Sequence, residues 1–463
     1  MNVLILISCL GLLSLFVGLS DSLRKYSLQV IVAGVFAIFV LNFFNWNNPY
    51  SHYYHDMLNF DNYAVAFSGL ILIVSVFVFM LSKDQFNFDE KSTGDYYGIM
   101  AFTIAGAIMM VSYSNLAMLF IGIEALSVSL YTLAGSKKTN HESNEAALKY
   151  FILGAFATGF LLFGIAMIYG ASGSFNLSEI ATYVNGTTDL PYLFYAGLLM
   201  LMVGLLFKVS AAPFHFWAPD VYEGSPNIIT SFMATVVKIA AFAAFYRLFS
   251  TCFEAASEQW SLILSGAAIL TIAIGNLSAL AQNSLKRLLA YSGIANAGFM
   301  LLAILALKGD AANALFYYSI AYATASLGAF AVLILLSQED KSLSIDSLRG
   351  LAKKNPYVAI LFTVILMSLA GIPPTAGFFA KYFILSTAIA NGFQVVSLIA
   401  ILTSLVGIYY YFKIVAAMFS EPTFELGHEN TIGEKRSFIL LICAVISVAA
   451  GIIPELIISL QLN

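Results

Sequence analysis

Charge is what this chain has least of. Asp, Glu, Lys and Arg make up 10% of its 463 residues against 60% hydrophobic, and the mean hydropathy is +0.88. That balance excludes a soluble globular domain. The net charge of −4 is too small to suggest nucleic acid or an anionic partner. Cysteine is almost absent: Cys9, Cys252 and Cys443 lie far apart, within or beside apolar runs, so they fit no metal spacing and read as small buried side chains. No GxGxxG, P-loop or cysteine cluster offers a seat for a nucleotide, a flavin or an iron–sulfur centre, and redox chemistry is not expected within this chain. His52 and His55 stand beside Asp56 in HYYHD, but two histidines without a third and fourth ligand are weak evidence for a metal. The apolar run at 3–19 lacks a basic segment before it and an A-x-A site after it, and Arg24 and Lys25 follow it. This favours a first membrane helix entering from outside over a signal peptide.

What the chain does have is long apolar blocks. With about twenty apolar residues per span, the sequence predicts fourteen membrane helices at 3–20, 28–44, 64–81, 97–112, 114–134, 145–170, 191–222 (broken), 227–250, 260–280, 286–306, 311–337, 358–390 (broken), 392–419 and 437–460. Lys and Arg fall in or beside the odd-numbered loops, from Arg24 and Lys25 to Lys435 and Arg436, while the other side carries Arg247 and Lys308. This asymmetry sets the odd loops inside and both termini outside. The clustered Phe and Tyr, including Tyr409, Tyr410 and Tyr411, read as lipid contacts and interfacial belts.

Five lysines fall inside the expected spans: Lys149, Lys208, Lys238, Lys381 and Lys413. Lys149 follows Glu145 by four residues, the favourable order for a helical ion pair, and Lys413 can snorkel to the inner surface. The other three have no such outlet. Lys208 precedes PFHFWAPDVYEGSP, a stretch from Pro213 to Pro226 that interrupts its helix, and non-helical backbone at membrane depth survives only against protein or a wet cavity. Lys238 lies eleven residues past Asn227, roughly 16 Å along its helix and close to mid-membrane. Glu124 sits near the middle of the fifth helix with no charged neighbour in sequence. Burial disfavours both charged forms and pairing favours both, so a Glu124–Lys208 pair reads as a proton-exchange site sensitive to its surroundings. The alternative is a static ion pair that holds helices together. His215, just past the break, either joins a relay or caps exposed backbone.

A second break falls at LMSLAGIPPTAGFFAKYF, where Pro373 and Pro374 remove helical hydrogen bonds, Gly371 and Gly377 loosen the chain, and Lys381 follows. The breaks lie in helices 7 and 12, the fourth member of helices 4–8 and of helices 9–13. Because five spans is an odd number, two consecutive units run in opposite directions, which points to an inverted repeat. The expected fold is an all-α polytopic membrane protein with about fourteen transmembrane helices and two inverted five-helix repeats, each with a broken helix. Its expected organisation is 1–94, three N-terminal helices; 95–250 and 251–420, the two repeats; and 421–463, a C-terminal helix.

EALSVSLY at 124–131, EAALKYFILGA at 145–155, FKVSAAPFHFWAPDVYEGSP at 207–226, KRLLAYSGI at 286–294 and SLAGIPPTAGFFAK at 368–381 resemble the antiporter-like subunits of respiratory complex I, and among them the N-type branch. The likeness covers nearly the whole chain. Lysine at 381 and the absence of histidine from FYYSIAYATASLGAF are similar to that branch, as is the lack of the long C-terminal extension of the L-type subunits. Two positions depart from the family pattern: SPNII at 225–229 replaces the commoner A-P-T-P-V, and Asn296 stands where relatives often carry Gln or His.

The resemblance implies proton translocation along a hydrated central axis, with Glu124 biasing Lys208, Lys208 passing a proton to Lys238, Lys381 leading to an exit or a neighbouring subunit, and His215 a candidate addition. It implies no cofactor in this chain, with NADH, flavin, iron–sulfur clusters and quinone handled by partner subunits. Further implications are other membrane subunits of the complex and the lipid bilayer as partners, no nucleic acid, and a location in the bacterial inner membrane. The alternatives are a subunit of a multisubunit Na⁺/H⁺ antiporter and a scaffold subunit whose charges are structural.

Overall fold

The computed structural model describes residues 3–48, 51–83, 85–86, 92–337, 343–421, 434–460 and 462. They are overwhelmingly helical; the two-residue strands His52–Tyr53 and Leu58–Asn59 form one small antiparallel hairpin that an all-α expectation does not contain. Among the described residues ten helices are long and apolar enough to cross a membrane: Arg24–Asn45, Asn62–Leu81, Thr93–Ser112, Leu116–Ala134, His141–Ser172, Asn227–Cys252, Ser257–Leu280, Leu285–Ala306, Ala311–Leu336 and Gln394–Phe419. Val3–Leu19, Tyr192–Lys208, Pro356–Ala370, Ala376–Ala390 and Ser437–Ile452 are shorter apolar helices.

Polar caps start these helices where the sequence supplies them. Side chains of Asp61, Asn115, Asn140, Ser284 and Asn355 accept from backbone N–H groups of the first turns they precede, and Pro356 follows Asn355 at the first helical position. The same chemistry builds an element that hydropathy does not reveal. Asn176 caps a ten-residue helix, Leu177–Gly186, which buries Leu177, Ile180 and Val184 and is too short and polar to span a membrane.

The chain divides into two compact units, one chiefly Met1–Trp217 with Gly224–Leu264, the other chiefly Ala218–Glu223 with Ser265–Leu460. In the first, residues 228–249 are buried without exception, so the helix that carries Lys238 is the core of its unit. Helix pairs here close on small residues, as membrane helices do when packing replaces the hydrophobic drive. A Cβ added at Gly164 would come within 2.7 Å of Leu201 N, and one at Gly106 within 2.7 Å of Leu126 N. These contacts hold the Tyr192–Lys208 and Leu116–Ala134 helices against their neighbours. In the second unit, Leu285–Ala306 and Ala311–Leu336 are the buried pair.

Two sequence expectations are corrected. Cys9 is exposed on its helix, whereas Cys252 and Cys443 are buried; an apolar run is buried only on the face that meets protein. Of the three tyrosines at 409–411 only Tyr409 points outward, at 66% exposure, while Tyr410 and Tyr411 are buried. Successive helical residues turn by about 100°, so a run of aromatics cannot share one environment.

Candidate functional site

The first break begins at Lys208, the last residue of the Tyr192–Lys208 helix. Ser210 takes a left-handed conformation, φ 60°, and the chain resumes as a helix at Trp217–Gly224. The carbonyls stranded at the helix end are taken up locally: Val209 N donates to Leu205 O, Ala211 N to Leu206 O, and the Trp217 indole to Phe207 O at 3.0 Å. Trp217 is fixed by a parallel stack on Tyr150, 4.6 Å between centroids. A lysine at this position faces the negative end of its own half-helix, which attracts a cation.

The Lys208 ammonium donates to Ser127 Oγ at 2.7 Å, and Ser127 in turn donates to Ile123 O. Because that hydroxyl proton is committed to the backbone, Ser127 can only accept from Lys208. Ser127 is three residues on from Glu124, so both project from one face of the Leu116–Ala134 helix. Glu124 makes no direct ion pair with Lys208; its charge acts on the ammonium through space, and its Oε1 is buried without a hydrogen-bond partner. Lys208 is 6% exposed and Lys238 3%. Immediately before Lys238 the helix widens into a π turn at Met233–Val237, a distortion that recurs at functional sites. His215 is buried in the break, its ring reaching the Pro213 carbonyl and packing on Phe216 while Nδ1 has no hydrogen-bond partner.

The second break separates Pro356–Ala370 from Ala376–Ala390. Gly371 ends the first half with φ 82°, a conformation that side chains resist. Gly377 lies so close to the Ser368 carbonyl that any Cβ would collide with it. Lys381 folds back across the gap and donates to Ala370 O at 2.8 Å, thereby satisfying the last carbonyl of the first half-helix. Its ammonium also lies 5.1 Å from the centroid of the Phe299 ring, within cation–π range. A small cavity adjoins it, lined among others by Asn296, Tyr318, Tyr322 and Ser368. Each break thus sets a lysine against a half-helix C-terminus, one by sequence position and the other by reach.

An ammonium held by a neutral acceptor inside an apolar bundle, with a carboxylate or a small cavity nearby, can release and regain a proton as the surrounding charge changes. Residues 112–407 match the family described as NADH:quinone oxidoreductase/Mrp antiporter, TM. The chain belongs to this NADH:quinone oxidoreductase/Mrp antiporter family. Within it, the NADH-quinone oxidoreductase subunit N of Flavobacterium psychrophilum is 41% identical, covering 99% of this chain and 100% of the relative. A chain of respiratory complex I from Thermus thermophilus with bound aureothin superimposes with a TM-score of 0.84 at 33% identity, covering 99% of both chains. A chain of the Mrp complex from Dietzia sp. gives the same TM-score at 18% identity and covers 99% of this chain and 96% of its own, a likeness of fold.

The structure therefore brings Glu124 and Lys208 to one site, places Lys238 in the core of the same unit and sets Lys381 at its own break. The pair at Glu145 and Lys149 forms at 2.8 Å on a half-exposed face, and Lys413 is exposed. Sequence reading missed Ser127, although its spacing from Glu124 was the available signal. It also missed the partner of Arg247, counted with the loop charges: Arg247 is buried and grips Asp61 with both terminal nitrogens, at 2.9 and 2.6 Å, while Asp61 caps its helix through Ala64 N. Asp61 and Arg247 are 186 residues apart, so no local pattern announces them.

Proposed function

We infer that this chain is a proton-translocating membrane subunit of an NADH:quinone oxidoreductase, in which Glu124 biases Lys208, Lys208 hands a proton to Lys238 through water, and Lys381 serves the second repeat and the exit. The observation that carries this reading is the Lys208 ammonium buried at an interrupted helix, held by a hydroxyl acceptor and within electrostatic reach of Glu124. A scaffold would place such a charge in a closed ion pair, since an ammonium in a dry interior is costly without one. Driving energy comes from quinone reduction in partner subunits, which hold the NADH, flavin, iron–sulfur and quinone chemistry, and the coupling through this chain is electrostatic. His215 serves the Pro213 carbonyl as a backbone cap.

On this reading the ten long helices, the N-terminal and C-terminal short ones and the two interrupted ones are the fourteen spans of the subunit. Residues 95–250 and 251–420 form the inverted repeats behind an N-terminal 1–94 piece, 421–463 is the closing helix, and both termini face outside the bacterial inner membrane. The test is proton pumping by the assembled complex in membrane vesicles carrying Lys208→Ala or Lys238→Ala. Both should pump far below the wild-type rate with normal subunit content. Near-normal pumping would remove these residues from the path, and equal losses of pumping and of assembly would support the scaffold.

A further inference from the structure

The cavity beside Lys381 is small, and the polar side chains of Asn296, Tyr318, Tyr322 and Ser368 share its lining with alanine and leucine. It has room for about one water molecule. The hydrogen bonds around it have a fixed direction. Asn296 Nδ2 donates to the Ser292 carbonyl at 2.9 Å, and a carbonyl can only accept, so the amide cannot be turned over. Asn296 Oδ1 is therefore the atom that faces Tyr318, and the Tyr318 hydroxyl donates to it at 2.7 Å. With its single proton committed to Asn296, Tyr318 offers the cavity lone pairs only. Lys381 offers the opposite: one of its three N–H bonds points to Ala370 O, leaving donors for the cavity. Residues Ser292, Asn296, Tyr318 and Lys381 all belong to one compact unit.

We propose that this cavity binds one water molecule in a set orientation, accepting from Lys381 and donating to Tyr318, and that Asn296 is the positioning residue that sets it by holding the Tyr318 proton away from the cavity. This rests on the reading of Lys381 as a proton carrier. A water so oriented turns its lone pair to the ammonium, the arrangement needed for it to take the proton. The Nζ–H bond breaks as a water O–H bond forms, leaving a neutral amine and a hydronium hydrogen-bonded to the Tyr318 oxygen. Were Tyr318 free to turn its hydroxyl inward, two donors would face the same water and Lys381 would meet a competitor. The Asn296 amide has no titratable proton to pass on, which suits an orienting role rather than a link in the path.

The experiment is a double-mutant cycle on the assembled complex in membrane vesicles, reading proton pumping with subunit content checked on native gels. Tyr318→Phe removes the acceptor, and Asn296→Leu releases the hydroxyl. Each should lower pumping on the order of tenfold, the scale of one hydrogen bond to a charged donor, and the double variant should be no worse than Tyr318→Phe, because Asn296 acts through Tyr318. Asn296→Asp, which as a neutral acid reproduces both the donor and the acceptor, should pump well above Asn296→Leu. Normal pumping by Tyr318→Phe, or multiplicative losses in the double variant, overturns the proposal. If Tyr318→Phe does not assemble, equal losses in Asn296→Leu and Asn296→Asp overturn it. Lys381→Ala separates the two readings: normal pumping there defeats the carrier role itself, whereas its failure beside a normal Tyr318→Phe defeats only the oriented water.

Discussion

Ser127→Ala is the sharpest single perturbation of the first site. The hydroxyl is fully buried and accepts the Lys208 ammonium at 2.7 Å, the one hydrogen bond of that ammonium among the described residues. Alanine removes one oxygen and leaves almost no cavity, so packing is nearly unchanged. The loss is that of a hydrogen bond to a charged group, about 1.5–3 kcal/mol, which reduces the residence of the ammonium at this position by roughly 10- to 100-fold. Its influence from Glu124 falls accordingly, because the Coulomb interaction depends on where the ammonium rests. Pumping in membrane vesicles should drop at least severalfold, with assembly normal on a native gel. Ser127→Thr keeps an oxygen that can donate to Ile123 O and accept from Lys208, and should recover most of the rate. Pumping by Ser127→Ala at the wild-type rate, in membranes where Lys208→Ala abolishes it, would refute the claim that this hydrogen bond positions the carrier.

Two further outcomes follow from the packing. Asp61→Ala strands the buried Arg247 guanidinium and removes a helix cap; the pair is partly open on the Asp side, at 37% exposure, so we expect a loss towards the low end of about 3–5 kcal/mol, read as a lower melting temperature of the purified complex. Asp61→Asn retains a cap acceptor and should cost clearly less, and equal losses would mean that the charge pairing with Arg247 alone carries the effect. Gly377→Ala drives a methyl group into the Ser368 carbonyl, an overpacking cost of about 1–3 kcal/mol that should pull Lys381 away from Ala370 and depress pumping more than assembly; unchanged pumping would show that the break tolerates the shift.

The sequence by itself determined the membrane class, the positions of both breaks and the lysines that attend them. Those signals are local, because hydropathy, proline and a charge in an apolar run are read within one helix turn or one span. The likeness at 124–131, 207–226 and 368–381 carried the family for the same reason, since each motif is contiguous. The tertiary structure alone decided what each charge touches. Lys208 rests on Ser127 rather than on Glu124, Lys381 reaches back to Ala370, Arg247 grips Asp61, and Tyr318 is turned by Asn296. It also decided which faces are inside, burying Tyr410 and Tyr411 and exposing Tyr409 and Cys9. In a chain that is apolar on every side, hydropathy cannot distinguish a helix face that meets lipid from one that meets protein. Only packing separates them, and packing depends on residues far apart in the chain.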